Sequence, residues 1–158
     1  MDLQRPFTII TPTADGDALS VLAGADRAFT ASEVQRLAGR RSIQGIRQAL
    51  KRLEEQGIVT ATRAGNAVLF GLNRRHLGAD AIIQLASIRD ELIARLQEQL
   101  AGWDPACEYA ALFGSAATGG MRPSSDIDLL VVRADSLDPD EPSWREQLGM
   151  LTRSVAGW

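Results

Sequence analysis

The sequence predicts an α+β chain of two small modules joined by a helix, and three observations lead there. Basic and acidic residues are segregated along the chain. Residues 30–72 read as two capped helices followed by two short strands. A Gly-Ser turn at 114–115 then precedes an acid-x-acid sequence at 126–128 and an apolar strand.

The chain's 158 residues suit one ordinary domain or two small ones, and 45% hydrophobic with 23% charged residues is a globular balance. No apolar run approaches the ~18 residues of a membrane span, so no membrane partner is expected. Met1 to Arg5 lacks the basic start and apolar stretch of a signal peptide. Cys107 is the one cysteine, which excludes an internal disulfide, and a cytoplasmic protein is expected. The net charge of −3 hides a division: residues 1–77 hold eleven Arg/Lys and seven Asp/Glu, whereas residues 78–158 hold six and thirteen. From Arg36 to Arg75 there are nine basic residues against Glu54 and Glu55 alone. Two modules with different partners are implied, the first compatible with a phosphate backbone.

Within the first module, residues 16–24 supply an initial helix through Ala18, Leu19, Val21 and Leu22. Thr30-Ala31-Ser32-Glu33 fits a capping box. A short helix follows with Val34, Leu37 and Ala38 inward, ending at Gly39. Ser42 is placed to cap the next helix, in which Ile43, Ile46, Ala49, Leu50 and Leu53 recur at helical spacing. Its other face carries Gln44, Arg47, Gln48, Lys51 and Arg52. Residues 58–63 and 67–72 read as strands around Ala64-Gly65-Asn66, with Val59 and Ala61 inward. Two helices with a tight glycine turn between them are a helix-turn-helix signature. The run FTASEVQRLAGRRSIQGIRQALKRLEEQGIVTATRAGNAVLFGL resembles the winged helix-turn-helix domains of bacterial transcription regulators, over residues 15–77. The resemblance implies double-stranded DNA as partner. The second helix of the motif then enters the major groove with Arg40, Arg41, Ser42, Gln44, Arg47 and Gln48, while Lys51 and Arg63 meet phosphates. The competing reading is a solvated helix face on a protein-interaction module.

From Asp80 to Leu100 apolar positions keep a helical period, which predicts one helix of roughly 31 Å that connects the modules, packs on both or dimerises. His76 is expected to be a hairpin or linker residue rather than a ligand.

The chemistry lies beyond this helix. Residues 108–113 read as a strand ending in the Gly114-Ser115 turn; Asp126-Ile127-Asp128 follows, then Leu129-Leu130-Val131-Val132. Side chains at i and i+2 of a strand share a face, so Asp126 and Asp128 are expected side by side, about 6.6 Å apart at the backbone. Two carboxylates converging to 4 Å repel by about 4 kcal/mol at an effective dielectric of 20. A cation relieves that repulsion, and Mg²⁺ favours a few carboxylates plus phosphate oxygens. Gly114 permits close backbone approach to a phosphate, and Ser115 with the amides after it can hydrogen-bond one. The alternative for the two aspartates is a solvated turn.

The words LFGSAATGG and SSDIDLLVV resemble the nucleotidyltransferase superfamily that includes DNA polymerase beta and the minimal nucleotidyltransferases, over residues 106–135. The resemblance implies transfer of a nucleoside monophosphate from a nucleoside triphosphate (ATP foremost) to a hydroxyl acceptor. Asp126 and Asp128 then hold Mg²⁺, and Gly114, Ser115 and Ser125 contact nucleotide. The acceptor is expected on a toxin-like partner protein, or on a small molecule as in aminoglycoside-modifying relatives. A non-catalytic nucleotide sensor or dimerisation module, the chain being a homodimer, is the other reading. Two positions depart from the family pattern. Thr118 stands where an Arg is usual, and no later strand carries a third carboxylate: Asp135, Asp138, Asp140 and Glu141 fall in a loop before a helix at 143–156. The expected fold is α+β, with an N-terminal winged helix-turn-helix at 1–77, a connecting helix at 78–102 and a partial nucleotidyltransferase core at 103–158. A further strand is expected past the last helix, so a truncated chain or an edge covered by a second copy is anticipated.

Overall fold

A computed structural model describes residues 2–39, 41–122 and 124–158. The chain forms two compact units, residues 4–88 and 89–158. Together they make a mixed α+β protein, and among the described residues no helix is long and apolar enough to cross a membrane.

The first unit opens with a 3-10 turn at Pro6–Ile9, followed by α1 (Ala14–Ala23), β1 (Phe29–Thr30), α2 (Ala31–Ala38) and α3 (Ile43–Glu55). Strands β2 (Val59–Ala64) and β3 (Ala67–Leu72) then lead to α4 (Ala79–Ala86). The capping box forms as its residues dictate. Thr30 Oγ1 accepts the Glu33 N–H at 3.2 Å, and Glu33 Oε2 accepts the Thr30 N–H at 2.7 Å. Gly39, at φ 72°, ends α2 in the left-handed conformation that glycine adopts without strain. Leu37, expected inward, is 52% exposed. The buried stripe of this short helix runs through Ala31, Val34 and Ala38, and Leu37 lies on its flank.

Ser42 Oγ accepts the Gly45 N–H at 3.1 Å, which starts α3, and Ile46, Ala49, Leu50 and Leu53 are buried along it. The hairpin is antiparallel from Val59↔Leu72 to Ala64↔Ala67, closed by Gly65-Asn66 with Gly65 at φ 58°. Only Val59 of β2 is buried, so the expected inward Ala61 is corrected: the hairpin leaves the core after its first residue. The sequence pattern missed β1, whose two residues pair with β3 to give the order β1-β3-β2. The core gathers Phe7, Leu22, Phe29, Val34, Ile46 and Leu50, joined from α4 by Ala79, Ile82 and Leu85. A fully buried Leu22 or Ile46 contributes about 1.5–3 kcal/mol.

The single helix expected from Asp80 to Leu100 is two. Helix α4 ends at Ala86, and α5 spans Ile88–Ala101. The Ser87 hydroxyl between them donates to the carbonyls of Ile83 at 3.0 Å and Gln84 at 3.1 Å. A side chain that bonds the preceding turn competes with helix continuation. Helix α4 thus belongs to the core of the first unit.

The second unit continues with β4 (Tyr109–Phe113), α6 (Gly114–Thr118), β5 (Asp128–Val132) and α7 (Pro142–Ala156). Leu92 and Leu96 of α5 and Trp144 and Leu151 of α7 are buried. Trp103 meets Trp144 edge-on at 5.1 Å between ring centroids. The Gln147 side chain clasps the backbone of Asp104, accepting its N–H at 2.8 Å and donating to its carbonyl at 3.3 Å.

Candidate functional site

Strands β4 and β5 run antiparallel, with Tyr109 opposite Val132, Ala111 opposite Leu130 and Phe113 opposite Asp128. Strand alternation therefore puts Asp128, Leu130 and Val132 on one face with Tyr109 and Phe113. The other face holds Ala110, Leu112, Leu129 and Val131. On the Asp128 face Tyr109, Phe113, Leu130 and Val132 are 58%, 52%, 49% and 37% exposed, so this face is open and apolar.

The chain leaves β4 through Gly114 at φ 64° and enters α6 at once, in place of the simple turn expected. A Cβ on Gly114 would overlap the Asp128 carboxylate and lie 3.3 Å from its Cγ. Backbone conformation and contact thus both require glycine here. Ala116 is buried and anchors α6. The Thr118 hydroxyl donates to the Gly114 carbonyl at 2.9 Å, and the Ser115 carbonyl accepts from Gly119 and, at 3.2 Å, from Gly120. Thr118 accordingly locks the loop where an Arg was expected by resemblance. The first N–H groups of a helix have no acceptor within it, which leaves them available to a ligand.

The aspartates are not a strand pair. Strand β5 begins at Asp128, and Asp126 precedes it as an exposed residue. Asp128 pairs with Phe113, the last residue of β4, so Asp126 has no ladder partner. Just before it the Ser125 N–H donates to the Arg122 carbonyl at 2.9 Å, and Ser125 Oγ accepts the Arg122 N–H at 3.0 Å. Ser125 is therefore a turn residue whose hydroxyl keeps its own proton to donate. Ser125 and Asp126 border a cavity of about 480 Å³ between β5 and α7, walled by Leu129, Leu148 and Val155. Among the described residues neither Asp126 nor Asp128 has a side-chain hydrogen bond or an ion pair, so both carboxylates remain available. No group of three His, Cys, Asp or Glu side chains suited to a metal forms among the described residues. The loop acids Asp135, Asp138 and Asp140 are exposed, and Arg145 holds Asp140 at 3.3 Å.

The basic residues of the first unit divide into committed and uncommitted groups. Asp17, 8% exposed, is held by Arg5 at 2.8 Å and by Arg41 at 2.5 Å, and Arg41 also donates to the Pro12 carbonyl. Arg41, expected at DNA, is thus tied into the fold because a buried carboxylate needs a counter-ion. Ser42 is likewise occupied as the cap of α3. Arg52 holds Asp15 at 2.8 Å, which draws the Asp15 carboxyl below its ordinary range. Gln44, Arg47, Gln48 and Lys51 are exposed along α3; Lys51 lies 3.7 Å from Glu55, and Arg47 has no ion pair among the described residues. Arg63, exposed near the hairpin tip, has none either. Arg40 lies outside the described residues. His76 Nδ1 accepts the Gly78 N–H at 3.0 Å, a linker role. Sequence reading passed over Arg89 of α5, taken as part of a structural helix; its Nε is buried without a partner among the described residues.

The family model described as Polymerase beta, Nucleotidyltransferase matches residues 95–152, a span from the middle of α5 into α7 that contains Gly114, Asp126 and Asp128. No curated protein and no solved structure matches the chain.

Proposed function

We propose that the second unit is a metal-dependent nucleotidyltransferase centre, moving a nucleoside monophosphate from a nucleoside triphosphate, ATP foremost, to a hydroxyl acceptor. The observation that carries this reading is Gly114 seated against the Asp128 carboxylate at the start of α6, within a segment matched by the nucleotidyltransferase model. Asp128 and Asp126 would hold Mg²⁺, and their freedom from hydrogen bonds and ion pairs fits that role. A divalent cation held by these carboxylates would supply positive charge against the phosphate oxygens of the nucleotide. Gly114 brings the backbone of α6 next to the carboxylate, and the leading N–H groups with the Ser115 hydroxyl receive phosphate oxygens. Ser125 holds the turn that delivers Asp126. The exposed Tyr109, Phe113, Leu130 and Val132 on the same face suit an acceptor carried on a protein surface better than a small hydrophilic one.

A second reading, nucleotide binding without turnover, is favoured by the two carboxylates having no third acidic neighbour among the described residues. General acid–base help alone contributes about 10²–10⁴-fold to a rate. Calorimetric titration with ATP, with and without Mg²⁺, tests the common part of both readings. Asp128→Asn is expected to abolish the Mg²⁺-dependent component while leaving thermal unfolding intact; equal affinities in all conditions would refute a metal site. Transfer of labelled nucleotide then separates the two readings.

For the first unit we infer a winged helix-turn-helix that binds double-stranded DNA, with α3 in the major groove and the β2–β3 hairpin as the wing. The support is the uncommitted face: Gln44, Arg47 and Gln48 for base edges, Lys51 and Arg63 for phosphates. Fluorescence anisotropy on duplex DNA should show affinity falling by ~0.9 log unit per log unit of salt for each phosphate contacted. Arg47→Ala should relax sequence preference, and Lys51→Ala should weaken all sequences evenly. Binding indifferent to salt would sink this reading.

A further inference from the structure

We propose that the groove between α5 and the covered face of β4 and β5 binds a small amphipathic anion, a carboxylate on a short apolar body, with Arg89 as its counter-ion. The groove encloses about 230 Å³ and is walled by Ile93, Leu96, Leu112, Ala117 and Leu129. Among the described residues Arg89 is the one charged residue that lines it, and Gln97 the one other polar side chain. Arg89 Nε is shielded from solvent and has no acceptor among the described residues, and the guanidinium forms no ion pair among them. No acid among the described residues lines the groove. A guanidinium keeps its charge under all ordinary conditions, and one that borders an apolar groove with no counter-ion among the described residues attracts an anion into that groove.

The walls select the kind of anion. Inorganic phosphate or a polyphosphate would lose hydration to apolar surface and meet a single cation, which disfavours both. One carboxylate paired with Arg89, its apolar body laid on Ile93, Leu96 and Leu129, meets every surface with its own kind. Arg89 of α5 and Ala117 of α6 line the same groove. An occupant would pack against Ala117 of α6, the helix that starts with Gly114-Ser115. This inference does not rest on the nucleotide reading, and its test reads binding alone.

The test uses hexanoate, hexanol and inorganic phosphate as probes of the intact chain, by calorimetry and ligand-observed NMR. Hexanoate should bind saturably, about tenfold or more tighter than hexanol or phosphate. Arg89→Met should bring hexanoate down to the level of hexanol without lowering the melting temperature, because removing an unpaired charge leaves no partner stranded. Ala117→Phe, which fills the groove and keeps the charge, should block hexanoate and hexanol alike. Absence of saturable hexanoate binding overturns the proposal, as does equal binding of hexanol or phosphate. Unchanged hexanoate affinity in either variant, or a lower melting temperature for Arg89→Met, overturns it too.

Discussion

Two residues show how local chemistry sets what this protein can do. Gly114 and Gly39 both sit at positive φ, 64° and 72°, but a Cβ on Gly39 meets nothing within 4 Å among the described residues, whereas one on Gly114 meets Asp128. Gly39→Ala should therefore cost only the left-handed penalty, about 1–2 kcal/mol. Gly114→Ala should cost more and displace the carboxylate, so Mg²⁺-dependent nucleotide binding should fall with it. Urea unfolding and ATP titration of the two variants separate strain from contact. Arg41 and Arg47 form a second contrast. Arg41→Ala strips a cation from the buried Asp17, though Arg5 remains, so a loss of about 1–3 kcal/mol is expected. Arg47, exposed and unpaired among the described residues, should show no stability change above about 0.5 kcal/mol while altering DNA affinity. Thermal unfolding beside anisotropy decides between these roles, and a stable Arg41→Ala with weakened DNA binding would reverse the assignment. The two arginines are alike in sequence; only the position of Asp17 distinguishes them.

At the scale of elements, local signals determine starts and stops, and long-range pairing determines the remainder. Thr30→Ala removes one half of the capping box of α2 and should lose ~1 kcal/mol, with Thr30→Ser retaining most of it, measured by denaturant midpoint. Equal stability of all three would mean that packing of Val34 alone holds α2. This cap, the Ser42 cap and the Gly65-Asn66 turn were legible because each is made by neighbours within four residues. The break at Ser87 was not, since apolar positions keep their period across it and a hydroxyl rotamer decides the matter. Strand β1 was hidden for a different reason. Two residues carry no period, and Phe29-Thr30 is a strand only because β3 lies beside it. The onset of β5 follows the same rule: the ladder ends at Phe113↔Asp128 because Gly114 turns away, and Asp126 is left outside.

Across the whole molecule, residues 4–88 carry eleven Arg/Lys and seven Asp/Glu, and residues 89–158 carry six and twelve. Acid should act on the first unit through specific carboxylates. Asp15, bonded to Arg52, and Glu33, bonded to the Thr30 N–H, both titrate below their ordinary range in the folded chain. A folded value below the unfolded one means stability that is complete at neutral pH. It is lost as pH falls from about 4 through the folded values. Asp15→Asn should destabilise by under about 1 kcal/mol at neutral pH, because Arg52 is largely solvated, and the difference should vanish in strong acid. Urea titrations near pH 7 and pH 2 measure it; a difference that persists in acid would assign the effect to packing.

The sequence by itself determined helices α1 to α3 and the hairpin after them, the caps that bound them, the division of charge, and the Gly-Ser and acid-x-acid words of the candidate centre. These depend on neighbours in the chain or on composition, which a linear reading contains. The tertiary structure alone decided where the units divide and which arginines are neutralised. It also decided that Asp128 faces Gly114 and that Arg89 lies in an apolar groove. Each of these is a meeting of side chains far apart in sequence, and burial makes such meetings matter: a charge that water would satisfy anywhere on the chain needs one particular partner once the fold encloses it.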